Sequence, residues 1–235
     1  MSEPAPTERP PKEHVLRRLL RTFVNADSYG FVLVLIIASY VLSVSVASDW
    51  GASAVVFIQI GTVWFALRTS QARRPVRRAA FLLLVLAGAV ALVNLAEPDG
   101  TRRFVFALGS LLYFIAPFSI VRHLVFRPVV DSETLLGAVA AYLLIGMFFA
   151  FAYKAAGELG SSPFFGPAGK GSLSQDLFFS FVTMTTVGYG NLVPAANPGQ
   201  TLAVLEAVIG QLFLVVAVGK IISNVTLRRR DRSDS

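Results

Sequence analysis

Six apolar runs punctuate the chain, near residues 29–47, 52–67, 79–96, 103–121, 134–154 and 200–224. Each holds roughly 16–25 residues, close to what a helix rising about 1.5 Å per residue needs to cross a hydrocarbon core. The pattern predicts an all-α membrane protein with six transmembrane helices. The first two runs are short and would stand nearly upright or thin the bilayer locally. A different segment separates runs five and six. From Gly157 to Gly171 the chain is rich in Gly, Pro and Ser, including Pro163 and Pro167, and reads as an outer loop. Ser174–Met184 then offers about three turns of amphipathic helix, too short to span. It runs directly into Thr185-Thr186-Val187-Gly188-Tyr189-Gly190. The order is span, re-entrant helix, glycine-bearing extended loop, span.

The polar connections orient these runs. Arg68, Arg73, Arg74, Arg77 and Arg78 lie between runs two and three, and Arg122 and Arg127 between four and five. Arg228, Arg229, Arg230 and Arg232 come after run six, while Arg9, Lys12, Arg17, Arg18 and Arg21 precede run one. The alternate connections carry Asp49, Glu97, Asp99 and Glu158. Basic residues mark the cytoplasmic side, so both termini are expected in the cytoplasm and the protein in the plasma (inner) membrane. Arg102 and Arg103 mildly break this rule beside Glu97 and Asp99. Residues 1–11 carry four prolines and read as a disordered tail, not a cleavable signal. In 12–24, Val15, Leu16, Leu19, Leu20 and Phe23 share one helical face opposite Arg17, Arg18 and Arg21. That predicts an amphipathic helix, lying on the membrane surface or docked on protein. Anionic lipids are the expected partners of Arg17, Arg18, Arg21 and Arg228–Arg230.

These boundaries divide the chain into a tail with interfacial helix (1–25), a four-helix membrane domain (26–122), a cytoplasmic linker (123–133), a re-entrant-loop domain (134–227) and a basic tail (228–235). Composition supports the division. The chain is 54% hydrophobic and 15% charged, with mean hydropathy +0.64, unlike an ordinary soluble domain. The net charge of +7 sits beside the apolar runs, so no nucleic-acid partner is expected. There is no cysteine, and His14 and His123 lie far apart, so neither a disulfide nor a metal cluster is expected. No nucleophile–base pair or phosphate-cradling loop appears, so no enzyme activity and no cofactor are expected.

Thr186–Gly190 read TVGYG, and the segment 134–224 resembles the pore of the six-transmembrane tetrameric potassium channels. The chemistry explains the residue types. A dehydrated cation needs oxygens in place of its water, and an extended backbone supplies them if its carbonyls point one way. Gly188 and Gly190 permit backbone angles that a side chain forbids. Val187 and Tyr189 then turn away from the axis. The resemblance implies that K+, as the permeant ion, meets the carbonyls of Thr186, Val187, Gly188 and Tyr189 and the Thr186 hydroxyl, with Gly190 closing the ion-binding stretch. One chain carries one such loop and a filter needs four, so a homotetramer is implied.

The resemblance carries over to further positions. Phe178 and Phe179, with Thr185, stand where the filter is braced from the pore helix. Pro194 and Gly199 fall at the outer mouth, and Gly210 falls at a hinge position, with close packing against the pore helix as the alternative. Gln211, Leu214, Val218 and Ile222 recur at helical spacing and are assigned to a cavity and apolar gate, or else to a lipid-facing stripe. Asn191 departs from the usual Asp after GYG: it keeps hydrogen-bonding capacity and loses the charge. Val182 is apolar where some members carry a carboxylate. Glu206, inside run six, is expected behind the filter, bonded to Ser180 or Thr183, as a proton sensor or as a structural carboxyl. Runs one to four occupy the place of a voltage-sensing domain, yet no charge falls between Arg103 and Arg122. Opening is therefore expected to depend weakly on voltage. Residues 122–133 read as a plain linker or a lever onto the pore. With only the eight-residue tail 228–235 after the re-entrant-loop domain, no cytoplasmic ligand-binding domain is expected. The expected function is passive, potassium-selective conduction. Its alternatives are a non-selective cation channel, a potassium transporter of the related superfamily and a non-conducting pore-like subunit.

Overall fold

The computed structural model describes residues 29–45, 49–69, 74–96, 98–125 and 132–233. The interfacial helix over 12–24, its arginines and the central part of the linker lie outside the described residues, as do the side chains of Arg228–Arg230. Seven α-helices and one short 3-10 turn make up the described chain. They are α1 Tyr29–Ser45, α2 Asp49–Thr69, α3 Arg74–Ala96, α4 Pro98–Val125, α5 Ser132–Leu159, α6 Leu173–Met184 and α7 Gly199–Ser233. Each apolar run of the sequence has become one helix, and the short amphipathic segment has become α6. Two stretches, Glu133–Leu159 and Gly199–Lys220, are long and apolar enough to cross a bilayer. The apolar stretches of α1 to α4 are shorter.

Helices α1 to α4 pack as a bundle, and the most extensive helix pair is α4 with α5. The two meet along an aromatic seam. Tyr113 and Phe106 of α4 place their rings 5.4 and 6.2 Å from that of Phe151 on α5. Gly109 lets the helices approach: a Cβ there would lie 2.9 Å from the Phe151 ring and 3.0 Å from Gln59 Oε1. Small residues serve this purpose where lipid removes any hydrophobic drive between helices. Inside the bundle, Ser39 and Tyr113 share a hydrogen bond of 2.6 Å. Gln59 is buried, and among the described residues neither of its amide atoms has a hydrogen-bond partner. The Tyr29 amide donates to Glu133 Oε2 at 3.0 Å, tying the start of α1 to the first turn of α5.

Helix α6 is short because its sequence sets both ends. Ser172 caps it in a reciprocal box, accepting from the Gln175 amide while Gln175 Oε1 accepts from the Ser172 amide. Its last turn leads into the glycine-bearing ribbon. Helix α6 lies against α5 and α7, and Gly146 of α5 sets the first of these contacts. A Cβ on Gly146 would stand 2.7 Å from the Phe181 ring. We expect Gly146→Ala to lower unfolding stability by about 1–3 kcal/mol through overpacking. Gly61→Ala, whose Cβ meets nothing within 4 Å, should be tolerated. Thermal melts of the purified protein in detergent check the pair; equal melting temperatures would refute this packing.

Candidate ion-conduction site

The ribbon after α6 is folded back on the helix that precedes it. The Thr186 amide donates to Thr183 O, and the amides of Val187 and Gly188 both donate to Val182 O, at 3.0 and 3.3 Å. The Val187 and Gly188 amides share planar trans peptides with the carbonyls of Thr186 and Val187, which therefore point away from α6. Those of Thr186, Val187, Gly188 and Tyr189 accept no backbone hydrogen bond among the described residues. Thr186, Gly188 and Gly190 have φ of 60°, 58° and 78°, the left-handed region that glycine enters freely and Thr does not. The Thr186 hydroxyl donates to Thr185 O at 2.7 Å, and Thr185 Oγ1 to Phe181 O. Both threonines are thereby fixed at the helix end.

The predicted bracing residues take different roles. Phe178 stacks on Tyr189, with ring centroids 6.0 Å apart and planes 8° from parallel. Phe179 is buried and meets the edges of Tyr153 and Phe165. A cavity of about 240 Å³ lies between α6 and the ribbon, lined in part by Phe179, Val182, Thr183 and Asn191. Asn191 is exposed, and its side chain makes no hydrogen bond among the described residues. The bonding expected to compensate for the missing Asp is thus not made inside one chain. Pro194 and Gly199 pack against the outer loop, where a Cβ on Gly199 would lie 2.7 Å from Phe164.

On α7, Gly210 is buried against the end of α6, and a Cβ there would stand 2.6 Å from Met184 Cγ and 3.2 Å from Met184 O. Close packing alone is a sufficient reason for this glycine. Gln211 donates to the same Met184 carbonyl at 3.4 Å. Leu214, Val218 and Ile222 are exposed, but so are Val204, Leu205, Val208, Leu212, Val215 and Val216. A single chain leaves nearly every face of α7 uncovered, so the cavity stripe is not singled out.

Glu206 is fully buried where α5, α6 and α7 meet. Its Oε1 lies 2.5 Å from Ser180 Oγ and its Oε2 2.5 Å from Tyr153 Oη. Ser180 is one of the two expected partners; Thr183 is not bonded to it. Sequence reasoning missed Tyr153, which stands in an aromatic-rich helix and looks like ordinary packing there. It also missed a second polar cluster. Lys154 is 5% exposed, donates to Gly171 O at 2.7 Å and pairs with Glu158 at 3.0 Å. Asp176 is buried nearby on α6, and among the described residues neither of its carboxylate oxygens is hydrogen-bonded. Phe164 and Phe165 are buried within the outer loop. An aromatic pair inside a Gly/Pro run is the signal that could have revealed this. Among the described residues, no group of three or more His, Cys, Asp or Glu could hold a metal ion.

This module coincides with the similarity to known proteins. Residues 137–226 match the ion channel family. Over 85 residues, 36% of this chain, the sequence is 40% identical to the inward rectifier potassium channel Kirbac3.1 of Paramagnetospirillum magnetotacticum. The chain spans 27% of that relative's length. These matches support an ion channel rather than an enzyme, and a membrane protein.

The Lys154 cluster anchors the outer loop to α5. A hydrogen bond from a charged donor contributes about 1.5–3 kcal/mol, so Lys154→Met should speed amide exchange in 169–175 at least about tenfold, with α5 unchanged. Exchange measured by mass spectrometry checks this, and an unaltered loop would refute the anchoring role.

Proposed function

We propose that four copies of this chain form a potassium-selective channel conducting passively down the ion gradient. The observation that carries this reading is the ribbon Thr186–Gly190, whose first three amides donate to α6 and whose carbonyls are left without backbone partners among the described residues. Irregular backbone at membrane depth is tolerated where it lines a wet cavity or is buried in protein. A row of unpaired carbonyls suits a cation that has shed its water. One ribbon cannot surround an ion, and the apolar window of α7 is only 11% buried in the single chain. Both facts favour a closed ring of four. The named relative is a potassium channel.

In this reading α1 to α5 and α7 are the six spans, both termini are cytoplasmic, and the basic ends meet anionic lipid. Helix α4 holds no charged residue from Phe104 to Val121, and its Tyr113 is bonded to Ser39. It has nothing to move through the field, so α1 to α4 act as a scaffold with little voltage response. A non-selective cation channel is the second reading, favoured by the unbonded Asn191 side chain.

Reconstitution in lipid vesicles tests the whole. In mixed K+ and Na+ the reversal potential should track the K+ gradient, and equal permeabilities would favour the second reading. The same recordings should give a shallow conductance–voltage curve; one carrying several elementary charges would overturn the scaffold role. Asn191→Asp places a negative charge at the outer mouth. It should raise inward single-channel current at low salt and lose that effect at high salt, where exposed charges are screened. An unchanged current at low salt would rule out the electrostatic account.

A further inference from the structure

Oxygens of four residues form a chain behind the ribbon. Tyr153 Oη lies 2.5 Å from Glu206 Oε2, Glu206 Oε1 lies 2.5 Å from Ser180 Oγ, and Ser180 Oγ lies 2.7 Å from Gly146 O. The chain of contacts leaves α5 at Tyr153, crosses α7 and α6, and returns to α5 at Gly146. Three oxygen–oxygen contacts this short need three protons, because two lone pairs at that distance repel. Tyr153 and Ser180 each supply one. The Gly146 carbonyl can only accept, so the Ser180 proton must point at it. The contact between Ser180 Oγ and Glu206 Oε1 then lacks a proton unless Glu206 brings its own.

We propose that Glu206 is held as a neutral carboxylic acid that donates to Ser180 and accepts from Tyr153, and that it is the positioning residue of the pore helix. The bonds it joins fix the depth and rotation of α6, whose last carbonyls hold the ribbon amides. Only the consequence for conduction rests on the channel reading. The surroundings agree with a neutral acid. No Lys or Arg pairs with Glu206 among the described residues. The titratable groups facing it are Tyr142 and Tyr153 from α5; Asp176 of α6 lies on the far side of Tyr153, where Lys154 of α5 faces Asp176 and pairs with Glu158, not with Glu206. An ionised carboxylate in that company would be buried with no cation, an arrangement proteins avoid. Losing the proton would turn the Ser180 hydroxyl from Gly146 to Glu206 and open the link between α5 and α6.

Infrared spectroscopy of the full-length protein grown with carboxyl-13C glutamate, in vesicles, reads the proton directly. At neutral pH a protonated-carboxyl C=O band should shift with the label, which excludes Asp176, and should vanish in Glu206→Gln. Glutamine copies the neutral acid, donating from its amide to Ser180 and accepting from Tyr153. Glu206→Gln should therefore pass Rb+ at a rate within about twofold of wild type, with flux flat to alkaline pH, whereas wild-type flux should fall severalfold there. Ser180→Ala should lose the fall as well. A labelled spectrum with carboxylate bands only at neutral pH overturns the proposal, and so does an identical pH profile in wild type and Glu206→Gln. The labelled wild-type spectrum decides the point even if the variant fails to assemble. Absence of Rb+ uptake by wild type would instead strike the channel reading, while the band at Glu206 would stand or fall on its own.

Discussion

Everything in the second half of the molecule depends on one constraint: a short stretch of extended backbone must be held in place without partners for its carbonyls. The end of α6 meets that constraint by accepting the ribbon's amides on Val182 and Thr183. Those residues sit in the last turn of the helix, where carbonyls have no intrahelical partner and carry the negative end of the helix dipole. The ribbon thus satisfies orphan acceptors of α6 while leaving its own acceptors open. Its placement is only as good as the placement of α6.

The packing around α6 answers that need. Gly146 on one side and Gly210 on the other let α5 and α7 approach until their backbones nearly touch Phe181 and Met184. Close approach by itself fixes distance, not rotation or depth. Directional contacts supply those: the oxygens of Tyr153, Glu206, Ser180 and Gly146 inside, and the Ser172–Gln175 cap outside. Interhelical hydrogen bonds serve as glue where lipid surrounds a bundle. The Lys154 contact to Gly171 extends the same device to the outer loop.

The first four helices attach differently. Their junction with α5 is mainly aromatic and aliphatic, built on Phe106, Tyr113, Phe151 and the close approach at Gly109. Lys154 of α5 adds one buried cation to this seam, its Nζ 5.7 Å from the centre of the Phe106 ring. The polar pair Ser39–Tyr113 binds α1 to α4. Together these contacts join the four helices to one another and to α5.

The sequence alone determined the elements and the identity of the ribbon. Apolar run lengths fix helix number, because hydrocarbon thickness sets how many residues a helix must contribute. The glycines of Thr186–Gly190 mark where α6 stops and how the backbone continues past it, because they act through local geometry; the Ser172–Gln175 cap at its start emerged from the structure. Pairings between distant residues were left open. Glu206 appeared as a lone carboxyl with two candidate hydroxyls, and only the crossing of three helices chose Ser180 and brought in Tyr153. Gly210 was open between a hinge and close packing, and the approach of Met184 is a contact that only the crossing of α6 and α7 could show. Lys154 and the loop phenylalanines gave no periodic signal, since their burial depends on a loop folding back over a helix end. Hydrogen bonds and close packing act over a few ångströms, and which side chains come that near is decided by how helices cross, not by their order in the chain.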